Sequence, residues 1–219
     1  MQSTGAGRTD AGVHAAVQVV HADVPQDAPA LRDLDRTRAA LDKMLGDEIA
    51  IRRVRRVPAS FDARHSATQR RYRYRIDDGM FADPLRRLDT WHLGPPTLDV
   101  AAMHEAGQVL LGEHDFSAFC RRTADQHLVR SIDRLAVKRP SPDLVLVEVD
   151  GRAFCHQMVR SITAALVAVG RGKRPTGFVA EALASGDRQS IGGIAPPHGL
   201  TLVGVSYSPR PEAAPDATE

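Results

Sequence analysis

Hydrophobic positions recur along this chain with two spacings, one near two residues and one near 3.6 residues. The period of two is clearest at 70–76, where Tyr72, Tyr74 and Ile76 share one face of a strand and three arginines, at 71, 73 and 75, occupy the other. Alternation or β-branched composition predicts further strands at 13–24, 49–57, 132–138, 144–149 and 200–207, with 139–143 connecting a hairpin. Helical spacing predicts helices at 31–45, 98–111, 154–169 and 177–184. This mixture predicts an α+β fold with an antiparallel sheet.

The composition is that of a globular protein with one or two domains and a sizeable core. Of the 219 residues, 42% are hydrophobic and 26% are charged, and the formal net charge is only +2. The charge is unevenly distributed, because nine arginines and a single acid, Asp62, lie between Arg52 and Arg75. Such a block can neutralise a polyanion locally. No signal peptide and no apolar run of membrane-spanning length is evident, so we expect a cytoplasmic protein with no membrane partner.

The two cysteines, Cys120 and Cys155, are 35 residues apart and have no CxxC spacing. We interpret them as thiols of a reducing compartment, not as a disulfide or a zinc framework. The nine histidines form no cluster with metal-ligand spacing, so the sequence predicts no metal site and no cofactor.

The segment 5–15 is the most informative part of the chain, because it combines three glycines with an acid and a base. Asp10 lies among small residues, so its carboxylate can face a pocket without steric cover. Arg8 is two positions away and can hold that carboxylate ionised, in which state it can act as a nucleophile or a base. On spacing alone, a glycine-rich turn with a capping aspartate is the favoured interpretation. The segment matches neither a phosphate loop nor a GxGxxG fingerprint.

The full string Gly-Arg-Thr-Asp-Ala-Gly-Val-His-Ala resembles the active-site motif of the TruA family of tRNA pseudouridine synthases. Three further blocks, at 61–67 followed by 70–74, at 111–119 and at 154–160, are similar to family motifs in the expected order. The resemblance implies the pseudouridine synthase fold, in which two related α/β sandwich halves with mixed or antiparallel sheet flank a central cleft. It also implies isomerisation of uridine to pseudouridine without a cofactor, at positions 38, 39 and 40 of the tRNA anticodon stem-loop.

Three catalytic residues follow from the resemblance. Asp10 matches the aspartate that bonds covalently to the target nucleotide, whether at the sugar or at the base. Tyr72 matches the active-site tyrosine, which can stack on the flipped base and help to move the proton from C5. The alternative for Tyr72 is a core tyrosine with its hydroxyl bonded to backbone, the assignment we give to Tyr74. Arg160 lies near the start of an apolar helix, where its charge needs a partner, and Asp10 is the candidate.

The resemblance also assigns RNA-binding residues. These are Arg8, Phe61, Asp62, Ala63, Arg64, His65 and Tyr72, with Arg64 and neighbouring arginines on phosphates and His65 available for stacking. A share of the arginine block is expected to be an ordinary solvated strand face. The loop 121–130 departs from the family pattern, so its contact residues are left open. His14 is expected to be structural and to bond backbone near the loop.

The resemblance implies a tRNA partner, a homodimer and a division of the chain into three parts. Residues 1–58 would belong to the N-terminal half with the catalytic loop, 59–208 to the C-terminal half, and 209–219 to a disordered tail. Family members place a strand and a helix before the catalytic loop, and we expect this first strand and helix to be missing here. The resulting exposed sheet edge would reduce stability and activity.

Two other functions remain open from the residues alone. One is a non-catalytic RNA-binding α+β module that uses the arginine-rich strand and its tyrosines. The other is a metal-dependent phosphoesterase built from Asp10, His14, His65 and His114.

Overall fold

The structure is a computed structural model, and it describes residues 3–7, 9–121 and 127–207. Nine strands lie within these residues, at β1 Ser3–Gly5, β2 His14–Ala15, β3 Val20–Ala22, β4 Ala67–Asp77, β5 Trp91–His92, β6 Gly112–Asp115, β7 Val129–Ser141, β8 Leu144–Gly151 and β9 Leu200–Tyr207. Four α-helices lie between them, at α1 Leu34–Leu45, α2 Val100–Gly107, α3 Met158–Gly170 and α4 Phe178–Ser185. The predicted α+β class is therefore confirmed.

Seven of the described strands form one mixed sheet. Its order is β2-β9-β4-β8-β7-β6, with β5 pairing parallel to β4. The long strands β9, β4, β8 and β7 pair antiparallel, whereas β2 pairs parallel to β9. The predicted hairpin is confirmed, although β7 and β8 extend further toward each other and leave only residues 142–143 between them. A separate pair, β1 with β3, flanks the segment that carries Asp10.

The core lies between one face of the sheet and the helices α2, α3 and α4. Alternate side chains of β4 and β8, such as Tyr74 and Val147, belong to the same buried hydrophobic cluster as Ile162 and Leu166 of α3. On β4 the tyrosines and Ile76 are buried and the intervening arginines are more exposed, as the alternation predicts. The helix α1, in contrast, has no buried residue. The described helices include none that is long and apolar enough to cross a membrane.

The structure corrects several predicted elements. The predicted strand at 13–24 consists of the two short strands β2 and β3, and no strand forms at 49–57. There the Ile51 amide donates to the Asp42 carboxylate and the Ile51 carbonyl accepts from Arg38, so side chains replace a partner strand. The helix α3 begins at Met158 instead of residue 154, because Gln157 has a left-handed backbone with φ of 67°.

The prediction of two unpaired thiols is wrong, because Cys120 and Cys155 are joined by a disulfide. The fold brings the segment after β6 against the turn that precedes α3, where the Arg121 amide donates to the His156 carbonyl at 2.9 Å. The two Cα atoms are 5.7 Å apart, a separation typical of a disulfide. Distance along the sequence carried no information about this pairing. The predicted tail at 209–219 lies outside the described residues, and the division between residues 58 and 59 stays a prediction.

Candidate active site

The loop between β1 and β2 presents Asp10 at the wall of a cavity. The loop is closed by backbone hydrogen bonds from Ala6 to Val19 and from Val13 to the carbonyl of Asp10, at 2.8 and 2.9 Å. Gly12 has φ of 82°, which favours glycine, and a Cβ there would lie 3.1 Å from the Pro197 ring. The tight turn therefore directs the Asp10 carboxylate away from its own loop, toward α3.

Two basic side chains from the start of α3 hold the two oxygens of Asp10 separately. Arg160 Nη1 donates to Oδ2 at 2.7 Å, and His156 Nε2 lies 3.1 Å from Oδ1. Arg160 is itself fixed by a hydrogen bond from Nε to the Ala195 carbonyl at 2.8 Å, and its side chain is only 11% exposed. This is the Asp10–Arg160 contact that the sequence predicts.

Tyr72 and Tyr74 are neighbours on one face of β4, but their hydroxyls have different surroundings. The Tyr74 hydroxyl donates to the Pro196 carbonyl at 2.7 Å, and its ring is fully buried. The Tyr72 hydroxyl has no hydrogen-bond partner within the described residues and lies against the catalytic loop, where a Cβ on Gly7 would be 3.1 Å away. Burial raises the pKa of Tyr72 to about 12, so the phenol is neutral at pH 7.

These side chains line a cavity of about 500 Å³. Its described lining contains one acid, Asp10, and five arginines, at Arg64, Arg70, Arg130, Arg152 and Arg160. Apolar surface comes from Phe154, whose ring meets that of Tyr72 edge to face at 5.1 Å between centroids. The cavity is therefore a basic, partly aromatic recess with a single carboxylate, a combination that suits a nucleotide.

The predicted RNA-binding residues divide into two groups. Arg64 and His65 line the cavity with Tyr72, whereas Phe61, Asp62 and Ala63 do not. The Asp62 carboxylate accepts the amides of Arg64 and His65 at 2.7 Å each, and these bonds lower its pKa. The Ala63 amide donates to His21 Nδ1, and Phe61 packs on the Tyr207 ring. Their contacts therefore support the turn that presents Arg64 and His65. Arg8 lies outside the described residues.

Several cavity residues were not assigned from the sequence. His156 lies inside the 154–160 block, so the motif contained the signal, but nothing in the spacing showed that it would reach Asp10. Arg130 and Arg152 are isolated arginines in loops or strand ends, and no sequence pattern sets them apart. Arg70 was counted in the arginine block at 52–75, although its burial distinguishes it from the other arginines there.

The four residues of the phosphoesterase alternative do not form a ligand set. His14 Nε2 lies 2.6 Å from the Leu88 carbonyl, and His114 Nε2 lies 2.8 Å from the Leu111 carbonyl. No group of three or more His, Cys, Asp or Glu side chains in the described part of the chain is placed to hold a metal ion. His14 is thus bonded to backbone, as expected, but in the segment before β5 and not in its own loop.

Comparison with known proteins agrees with the motifs. The family described as tRNA pseudouridine synthase matches residues 106–208. Over 216 residues the chain is 48% identical to tRNA pseudouridine synthase A of Frankia casuarinae, an alignment that covers 96% of this chain and 76% of that protein. It is 44% identical to the protein of the same name from Myxococcus xanthus, with coverages of 95% and 77%. For that of Brevibacillus brevis the identity is 43%, with coverages of 94% and 83%. Identity at this level across most of both chains shows that this chain belongs to the tRNA pseudouridine synthase A family, TruA, as its motifs predict.

Proposed function

We propose that this chain isomerises uridine to pseudouridine at positions 38, 39 and 40 of the tRNA anticodon stem-loop, with Asp10 as its covalent catalyst. One observation carries the proposal. Asp10 is the single acid among the described residues lining a basic cavity, and Arg160 and His156 hold its two oxygens. Family membership supplies the reaction class, and the geometry supplies a candidate for each step.

The reaction balances without an electron carrier, because it exchanges one bond to the ribose for another. The N1–C1′ bond of uridine breaks and a C5–C1′ bond forms, while C5 loses one proton and N1 gains one. An oxygen of Asp10 bonds to the nucleotide, at the ribose or at the uracil ring, and leaves again as a carboxylate. In the ribose route, the electron pair of the N1–C1′ bond stays on uracil until C5 displaces the carboxylate.

The two contacts of Asp10 indicate which oxygen attacks. Arg160 is nearly buried and anchored on Ala195, so its hydrogen bond to Oδ2 can persist through the reaction. His156 is more exposed, at 28% of its side chain, and its contact with Oδ1 is longer. A partly exposed contact of this kind contributes only about 0–1 kcal/mol, so its exchange for a substrate contact costs little. We therefore assign Oδ1 as the nucleophile and Arg160 as the residue that holds the carboxylate in place.

Tyr72 is assigned to the flipped base and to the transfer of the C5 proton. Since its pKa is raised to about 12 by burial, the free enzyme holds a neutral phenol rather than a phenolate. The proposed transfer is consequently a relay, in which the phenol oxygen accepts the C5 proton while its own proton passes to a neighbouring base or water. The hydroxyl is free for this role, because no described residue bonds to it.

The remaining parts of the proposal concern the partners. Arg64 would contact phosphate and His65 would stack on a base, both at the cavity rim. We also propose a homodimer in the cytoplasm, where the tRNA substrate is found. Sedimentation velocity at micromolar concentrations would reveal the dimer, and a purely monomeric boundary would contradict it.

The deciding experiment compares Asp10→Asn with the wild type on unmodified tRNA, with pseudouridine mapped by chemical labelling. We expect the variant to bind tRNA and form no product. Asp27→Asn is the matched control, because Asp27 is an exposed loop aspartate far along the chain from the catalytic turn. Product formation by Asp10→Asn would refute the covalent role. Tight tRNA binding by a wild type that forms no pseudouridine would favour the non-catalytic RNA-binding module.

A further inference from the structure

Arg70 is a buried cation whose hydrogen bonds all go to neutral oxygens. The residue is only 6% exposed. Nε and Nη2 donate to the Ala6 carbonyl at 3.1 and 2.8 Å, and Nη2 also donates to the Arg64 carbonyl at 2.5 Å. Nη1 donates to the carbonyls of Ala67 and Arg152, at 3.2 and 2.5 Å. The five N–H groups of the guanidinium are thereby all satisfied.

The charge of Arg70, however, is not balanced by any acid in the part of the chain that the structure describes. Within the described ranges, no carboxylate lies within ion-pair distance of Arg70, Arg64 or Arg152. Asp10, the only acid among the described lining residues, is already held by Arg160 and His156. Buried charges in proteins are normally paired, so the unpaired Arg70, with two more accessible arginines beside it at the cavity wall, points to an anionic ligand.

Arg70 also fixes the geometry of the two arginines beside it. The carbonyls of Arg64 and Arg152 both accept from its guanidinium, which joins the turn after Asp62 to the loop between β8 and α3. Arg64 and Arg152 both line the cavity, and no described residue bonds their guanidinium groups. One buried side chain therefore fixes the backbone of two arginines whose own donors are free.

We propose that Arg64, Arg70 and Arg152 form a binding site for a phosphodiester group of the RNA strand next to the target uridine. This inference rests on the proposed function, and Arg70 and Arg152 are its new members. Arg64 and Arg152 donate to the phosphate oxygens, for which the planar guanidinium is well suited. Arg70 has no donor left, so it contributes fixed charge and acts as a positioning residue. The target base is thereby held near Asp10 through its own backbone.

The test is a thermodynamic cycle between one arginine and one phosphate. An anticodon stem-loop RNA is made with a neutral methylphosphonate at the linkage on the 5′ or the 3′ side of the target uridine. Binding of each RNA, and of the unmodified RNA, is measured with Asp10→Asn protein that does or does not also carry Arg152→Ala. We expect Arg152→Ala to weaken binding of unmodified RNA about tenfold or more. At one of the two linkages, the methylphosphonate should weaken binding by a similar factor. Combining that RNA with Arg152→Ala should then weaken binding little more than either change alone.

Salt and control variants separate a phosphate contact from a structural effect. Arg152→Ala should reduce the slope of log affinity against log salt by about one counterion, whereas Arg152→Lys should restore most of that slope. Arg174→Ala is the control, because Arg174 lies over the Phe178 ring outside the cavity, and its effect should be additive with both methylphosphonates. Additivity of Arg152→Ala with both neutral linkages, or an unchanged salt slope, would refute the site.

The cycle keeps this inference distinct from the proposed function. A wild type that forms pseudouridine but shows no coupling would leave the function intact and refute the phosphate site. Coupling in a protein whose wild type forms no product would support the site and refute the catalytic proposal.

Discussion

Two single variants, Tyr72→Phe and Tyr74→Phe, should show that one hydroxyl serves catalysis and the other serves stability. The Tyr72 hydroxyl has no partner in the described residues, so Tyr72→Phe should change the free energy of unfolding by less than about 0.5 kcal/mol. Tyr74→Phe, in contrast, removes a donor to the Pro196 carbonyl at a site with no exposure. This bond is partly buried, so its loss should cost about 1 kcal/mol. For a chain of this length, that corresponds to a fall in Tm of about 2–4 °C per kcal/mol.

The effects on catalytic rate should have the reverse order, with a large loss for Tyr72→Phe and a small one for Tyr74→Phe. Loss of a group that relays a proton lowers the rate about 10²- to 10⁴-fold, so single-turnover conversion of unmodified tRNA by Tyr72→Phe should be slower by that factor. Tyr74→Phe should keep a rate close to that of the wild type at a temperature where it is folded. Urea denaturation of both variants provides the stability values. A full-rate Tyr72→Phe enzyme, or equal destabilisation by the two changes, would refute the assignment of the two hydroxyls.

Other predictions follow from the contacts of single residues. Glu148 accepts from three basic side chains on the outer sheet face; burial opposes its ionisation, but these bonds hold its pKa at about 2. Because the folded pKa is depressed, Glu148→Gln should cost about 2 kcal/mol of stability at pH 7, and the difference in urea midpoints should vanish as the pH falls from 5 to 2. The single-turnover rate of His156→Ala should be at least tenfold higher than that of Arg160→Met, because His156 leaves Asp10 during attack whereas Arg160 stays bound to it. A lower rate for His156→Ala would contradict the assignment of Oδ1. A Cβ on Gly151 would lie 2.6 Å from the Ser131 carbonyl, so Gly151→Ala should destabilise the fold by about 1–3 kcal/mol in thermal unfolding.

The sequence predicted elements that depend on local pattern and missed those that depend on distant partners. The alternation at 70–76 identified the buried face of β4, because side-chain direction in a strand follows from the backbone alone. The segment 49–57 has similar β-branched residues, but a strand also needs a neighbouring edge, and none of the described strands pairs with this segment. The start of α3 was misplaced for the same reason. Gln157 keeps its left-handed backbone at a turn where its side chain accepts from Arg188 at 2.6 Å, a contact 31 residues away in sequence.

Distant partners also limited the prediction of the candidate site. For Arg70, burial could be predicted from the sequence but the bonding partners could not. Extending the alternation by one step back from Tyr72 places Arg70 on the buried face, so its burial was available from the pattern. What the pattern could not supply is the identity of its partners. An arginine on a buried face predicts a carboxylate nearby, since paired charges are the usual solution. Here the partners are carbonyl oxygens of three separate segments, and carbonyls are present at every residue whatever the side chain. That no described acid balances the charge of Arg70 is therefore visible only in the folded structure, and it is the feature that makes RNA phosphate the natural ligand of this wall.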